Sequence, residues 1–137
     1  GAHNFFINQR ELAGTKHIIR GESVKEMYKV LSNNGLLGLV SDQDAKSKGV
    51  FVDFFGTPAS TPKGAALFHI NTRAPLLLGV CFKENFQKYH IHFKAINTKN
   101  KSLEEITQEY TSQLEFYIKQ YPDQYFWFHR RWKTKKT

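Results

Sequence analysis

The chain has one cysteine, Cys81, so no intrachain disulfide can staple it. Cys81 lies in the apolar run "APLLLGVCF". A thiol buried in such a run is expected to behave as a small hydrophobe, and a reducing compartment fits. An activated thiolate needs a positive, partly exposed setting, which counts against a catalytic cysteine. No apolar run approaches the ~20 residues that span a bilayer, and no signal-peptide pattern is present. The sequence is therefore expected to be soluble or peripheral. It also lacks repeats, low-complexity segments and paired aromatic RNA-binding motifs. What it does have is 137 residues, enough for a single domain, with net charge +8, a pI near 9.6 and 15% aromatic residues. Such a charge favours an anionic partner and says nothing about fold. The start, Gly1-Ala2 without Met, reads as a cloning scar ahead of the interior of a larger protein.

Periodicity supplies the elements. "KHIIRG" reads as a short strand. "SVKEMYKVLSNN" reads as a helix with Val24, Met27, Tyr28 and Leu31 at helical spacing, opened by a Ser23/Glu26 capping box and closed near Asn34-Gly35. "LLGLV" is continuously apolar, as expected of a fully buried strand. Strand, helix and strand of these lengths predict a parallel βαβ unit. "VFVDFFG" adds a strand or edge segment, and the Pro58 to Pro62 region reads as a turn before the helix "KGAALFHINTR". "PLLLGVCF" and "YHIHFKAI" read as a hairpin-like pair. The last helix runs from about Leu103 to Tyr121, with a Ser102/Glu105 capping box and Pro122 as its stop. The fold class expected is α/β, with a mostly parallel central sheet flanked by helices, forming one domain over 1–137 that ends in a basic tail, 129–137.

Four groups of residues carry candidate chemistry. His17 and Glu22 have the His-x4-Glu spacing of an oriented base, yet an extended chain separates them by roughly 16 Å. A base and its carboxylate need hydrogen-bond reach of about 3 Å. His90 and His92 share one strand face without a third ligand, so no metal site is expected. Asp42, Gln43 and Asp44 cluster after the expected central strand, where open α/β sheets place their sites. In the tail "QYFWFHRRWKTKKT", Arg130 and Arg131 can grip phosphate bidentately, with Lys133, Lys135 and Lys136 as point charges. Trp127 and Trp132 suit either a membrane interface or stacking on single-stranded bases. A merely solvated tail is the plain alternative for Lys135 and Lys136.

The stretches "GLLGLVSDQDAKSKGVFVDFFGTPASTPKGAALFHINTRAP" and "LEFYIKQYPDQYFWFHRRWK" together resemble the lipid A biosynthesis lauroyl/myristoyl acyltransferases of the lysophospholipid acyltransferase superfamily. The most specific matches are Asp42-Gln43, then Phe54-Phe55-Gly56 with Pro58, Ala59 and Thr61, and then Tyr125, Trp127, His129, Arg130, Arg131, Trp132 and Lys133. Gly79 departs from a proline common in the family. The resemblance implies a partial glycerolphosphate-acyltransferase-like fold. It also implies fatty acyl transfer from acyl carrier protein or acyl-CoA to a hydroxyl of a lipid A precursor, without metal or cofactor, at the cytoplasmic face of the inner membrane. The family's catalytic His-x4-Asp/Glu is expected upstream of this chain, so no catalytic residue is assigned here. "HIIRGE" matches the family's Arg-Gly block, which gives Arg20 a substrate role. Asp42, Gln43, Thr61, His129, Arg130, Arg131, Trp132 and Lys133 complete the substrate-binding set that the resemblance implies.

The partners expected are the acyl donor, the glycolipid precursor and an anionic membrane surface, with the chain inactive alone. A sheet edge left exposed favours a homodimer. The alternative is a non-catalytic binding module for anionic lipid or single-stranded nucleic acid, including a catalytically dead homologue. Nucleic acid binding would be steeply salt-dependent; the spread of basic residues disfavours it.

Overall fold

The computed structural model describes residues 2–18 and 24–136, which divide into two compact units, Gly1–Leu37 and Gly38–Thr137. The first unit holds helices α1 (Ala2–Leu12) and α2 (Val24–Ser32). Met27, Tyr28, Val30 and Leu31 form the half-buried stripe of α2. The helix ends as its sequence suggests. Asn34 takes a left-handed φ of 57°, and the Gly35 N–H donates to the Val30 carbonyl at 2.8 Å. Lys16 pairs with Glu26, a bond that raises the lysine pKa. Arg20, Glu22 and Ser23 lie outside the described residues, and with them the Arg-Gly block, the His17/Glu22 pair and the Ser23 cap. His17 and Ile18 are not in a strand.

The second unit is built on α4 (Leu103–Gln120). Its start is the capping box expected: Ser102 Oγ accepts from the Glu105 N–H at 3.2 Å, and Glu105 Oε2 accepts from the Ser102 N–H at 2.7 Å. Ile106 and Tyr110 pack with Ala66 and Ile96, while one turn and more further on Leu114 and Ile118 pack with Phe54 and Ala59. Helix α3 (Gly64–Thr72) covers the first of these clusters, and hairpin β1 (Val50–Phe54) with β2 (Thr57–Thr61) covers the second. The hairpin β3 (Leu77–Lys83) and β4 (Tyr89–Ala95) is antiparallel, pairing Leu77 with Ala95 through Lys83 with Tyr89.

Three expectations change. The sheet is not parallel: the described residues form two separate two-stranded antiparallel sheets. The βαβ expectation needed strands at "HIIRG" and "LLGLV". The second has no strand, with Leu36 90% and Val40 86% exposed. A continuous apolar run becomes a buried strand only with sheet neighbours on both sides, and no described strand pairs with this one.

The Pro58 to Pro62 region is likewise mostly strand rather than turn. Phe55 and Gly56 have φ of 55° and 74°, the two positive values of a type I′ turn, so the reversal occurs before Pro58. The Phe55 N–H donates to Glu115 Oε2 on α4 at 2.8 Å, which holds the strained turn in place. Burial pulls the Glu115 carboxyl up, but the Lys119 ion pair and this N–H bring it below the usual carboxylate range.

Cys81, finally, is exposed. Strand alternation turns Leu78, Val80 and Phe82 toward α4 and Cys81 outward beside its cross-strand partner Ile91, on a face shared with Leu77 and Phe93. Among the described residues no helix is long and apolar enough to cross a membrane.

Gly49 marks the tightest approach in this unit: a Cβ there would lie 2.3 Å from Ser60 Oγ, 2.7 Å from Ala45 Cβ and 2.9 Å from the Thr61 carbonyl oxygen. Gly49→Ala is expected to cost about 1–3 kcal/mol by overpacking, measured as a lowered midpoint in urea unfolding.

Candidate substrate-facing site

The loop from Ser41 to Lys48 carries the Asp42-Gln43 motif and is laced to β2. The Ala45 N–H donates to the Ser60 carbonyl at 3.1 Å, and Ser60 Oγ donates to the Lys46 carbonyl at 2.6 Å. The chain beyond α4 folds back onto both. Pro122 opens a short 3-10 turn (Pro122–Gln124), after which successive tight turns run to Lys133, among them Arg131 N–H to the His129 carbonyl at 2.8 Å.

Those turns sort the motif residues to opposite sides. Tyr125 OH donates to the Asp42 carbonyl at 3.3 Å. His129 Nε2 accepts from the Asp44 N–H at 2.9 Å, so the proton of the neutral ring sits on Nδ1. Arg131, only 2% exposed, donates through Nη1 to the Ser60 carbonyl at 2.8 Å and through Nη2 to Thr61 Oγ1. Its guanidinium carbon lies 5.2 Å from the centre of the Phe54 ring. Trp132 stacks on that ring at 5.5 Å and donates to the Phe54 carbonyl at 3.2 Å. Thr134 closes the segment by donating to Asp44 Oδ2 at 2.8 Å. In contrast Gln43, Phe126, Phe128, Arg130 and Lys133 are exposed.

The buried charge is balanced at a distance. Burial pulls the Arg131 pKa down, while Tyr125, Asp44, Asp42 and Tyr110 push it back. Arginine stays protonated throughout. Tyr125 is raised by burial and by the Asp42 charge. Asp42 Oδ1, Asp44 Oδ1 and Arg131 Nε are buried without a hydrogen-bond partner among the described residues, so acceptor and donor capacity is concentrated beneath the loop.

The fold thus brings together Asp42, Thr61, His129, Arg131 and Trp132, and leaves Gln43, Arg130 and Lys133 exposed. Arg20 cannot be placed. No cluster of three metal-ligating side chains occurs among the described residues. The candidate histidines of β4 sit elsewhere, at a cavity of about 240 Å³ lined by Phe82, Lys83, Glu84, His90, His92 and Tyr121. His90 pairs there with Glu84, whose carboxyl is held low first by Lys88 and then by His90. The shared strand face of His90 and His92 was visible in the sequence; the partner across the turn, Glu84, was not.

A model of the bacterial lipid A biosynthesis acyltransferases matches residues 3–134. The chain belongs to that family. It is also 35% identical over 92 residues to a phosphatidylinositol mannoside acyltransferase of Mycobacterium tuberculosis (strain H37Rv), and 34% identical over 92 residues to the protein of the same description in strain CDC 1551. Each match covers 61% of this chain and 29% of the relative, so the chain spans under a third of the length of the curated relatives it matches.

The two neighbouring arginines should separate in an unfolding experiment. Arg131→Ala removes the ligand of two buried β2 oxygens and leaves a cavity, with an expected loss of about 3 kcal/mol in urea unfolding. Arg131→Lys should recover less than half of that, because an ammonium cannot reproduce the fork. Arg130→Ala should stay within about 0.5 kcal/mol of the parent.

Proposed function

We propose that the protein transfers a fatty acyl chain from acyl carrier protein, or from coenzyme A, to a hydroxyl of a lipid A precursor. In this reading the chain forms the substrate-facing part of the enzyme and is inactive alone. The family match over residues 3–134 carries the proposal. The curated relatives, named for a mannosylated phosphoinositide, support an anionic glycolipid as the class of acceptor.

The reaction needs a base that takes the proton of the acceptor hydroxyl as its oxygen attacks the thioester carbonyl, with the donor thiol leaving. The family's His-x4-Asp/Glu would supply that base. His90 is the described histidine with a carboxylate partner, but Glu84 is shared with Lys88, which suits a surface ion-pair cluster better than an oriented base. What this chain offers is recognition. Arg130 and Lys133, with Gln43 across the loop, would meet phosphate and sugar oxygens, and Arg20 would hold a further anionic group. Asp42, Thr61, His129, Arg131 and Trp132 would act from beneath, by fixing the shape of the surface that carries them. The enzyme would work at the cytoplasmic face of the inner membrane, its basic surface drawn to anionic lipid. No third strand joins either hairpin among the described residues, and pairing with a second copy would supply one.

The test is acyl transfer from labelled acyl carrier protein to a tetra-acylated lipid A precursor, run on this chain and on a longer relative containing the His-x4-Asp/Glu motif. Transfer by the relative, with acceptor binding but no turnover by the chain, is the expected result. Turnover by the chain would overturn its inactivity and return His17 and Glu22 to consideration. The absence of both acceptor binding and turnover in the chain would overturn its substrate-facing role.

A further inference from the structure

The segment after α4 presents an apolar surface that its own fold covers only in part. Phe126 is 60%, Trp127 48% and Phe128 90% exposed, three consecutive aromatic side chains. The backbone beneath them is not loose. The Trp127 N–H donates to the Tyr125 carbonyl at 2.9 Å and the His129 N–H to the Phe126 carbonyl at 3.3 Å. Tyr125 and His129, on either side, are tied to the Asp42 to Asp44 loop. Trp127 Nε1 donates to the Pro122 carbonyl at 2.6 Å, which satisfies its polar edge and leaves the ring to act as hydrocarbon. The Phe126 and Phe128 rings pack against each other, 5.8 Å between centroids and tilted by 50°. The result is a preorganised aromatic knob.

Its surroundings are cationic. Arg130, Lys133, Lys135 and Lys136 are exposed, and no Asp or Glu occurs from Gln124 to Thr137. Lys119, 5.6 Å from the centre of the Phe55 ring that neighbours Trp127 at 6.0 Å, is paired with Glu115 and adds no net charge to this rim. Adjacent Phe and Trp rimmed by Lys and Arg match a bilayer surface, with acyl chains accepting the rings and anionic headgroups accepting the charges. Stacking on single-stranded bases needs separate open ring faces. Here the Phe126 and Phe128 rings are 5.8 Å apart and tilted by 50°, which leaves no room for a base to slip between them.

Resting on the membrane reading above, we infer that Phe126, Trp127 and Phe128 form an insertion knob that enters the acyl region of an anionic bilayer. Arg130 and Lys133 engage the headgroups around it. The same insertion would orient the protein, because the knob and the surface carrying Gln43 and Arg130 are held by one set of buried bonds.

Co-sedimentation of the full chain with phosphatidylcholine vesicles, with and without phosphatidylglycerol, tests this. The parent should bind the phosphatidylglycerol vesicles, and its tryptophan fluorescence should be quenched by brominated acyl chains. F126S/F128S should bind about tenfold or more weakly and lose the quenching, since two Phe side chains no longer leave water. Its thermal unfolding should match the parent, which separates lost insertion from lost folding. If F126S/F128S binds as well as the parent, or the parent binds without quenching, the knob is overturned while the membrane reading stands. If the parent binds neither vesicle, or binds single-stranded oligonucleotides in preference, the membrane reading falls as well.

Discussion

Much of the second unit depends on one guanidinium taken out of water. Arg131 reaches β2 from the far side of α4 in sequence, donates to the Ser60 carbonyl and to Thr61 Oγ1, and rests against the Phe54 ring. Burying a charge in this way is costly unless every contact is used. The cost is offset by two directed bonds, a ring face and the pull of nearby Asp42 and Asp44. Because the same stretch also supplies His129 to Asp44 and Trp132 to Phe54, the loop, the hairpin and the segment beyond α4 share one anchor.

Helix α4 makes that arrangement rigid. Its first half meets α3 and the start of β3, and its second half meets Phe54 and Ala59, so one helix divides its apolar face between two small cores. Gln108 adds a strand-like pairing, accepting from the Asp53 N–H at 2.7 Å and donating to the Asp53 carbonyl at 3.0 Å. A site mounted on such a frame can keep its recognition residues outside and its supports inside. That division separates Arg130 from Arg131.

Elements whose signals are local were legible in the sequence. The period of α4, its Ser102/Glu105 cap, and the pairing of β3 with β4 as a hairpin all reappear in the structure. Elements defined by distant partners were not. "LLGLV" has the composition of a buried strand but no described neighbour to pair with. Cys81 sits in an apolar run, yet alternation points it outward. Phe55-Gly56 lacks the usual Asn or Asp of a type I′ turn, and its cost is met by Glu115, sixty residues away. In the same way, "HRRWK" reads as one cationic patch. Only the tight turn at His129 to Arg131 decides which arginine goes in, and local composition does not encode that turn.

The long reach of Arg131 also orders the making of the molecule. Strands β1 and β2 leave the ribosome about seventy residues before the side chain that completes their hydrogen bonding. Until then the Ser60 carbonyl has the Ala45 N–H and Thr61 Oγ1 has the Ala59 carbonyl, but Phe54 has no Trp132 to cover it. The nascent hairpin therefore lacks its anchor through the synthesis of α3, β3, β4 and α4. Its completion depends on a long-range contact of the kind that makes high-contact-order folds slow. A ribosome paused within α4 would hold a hairpin still lacking its anchor.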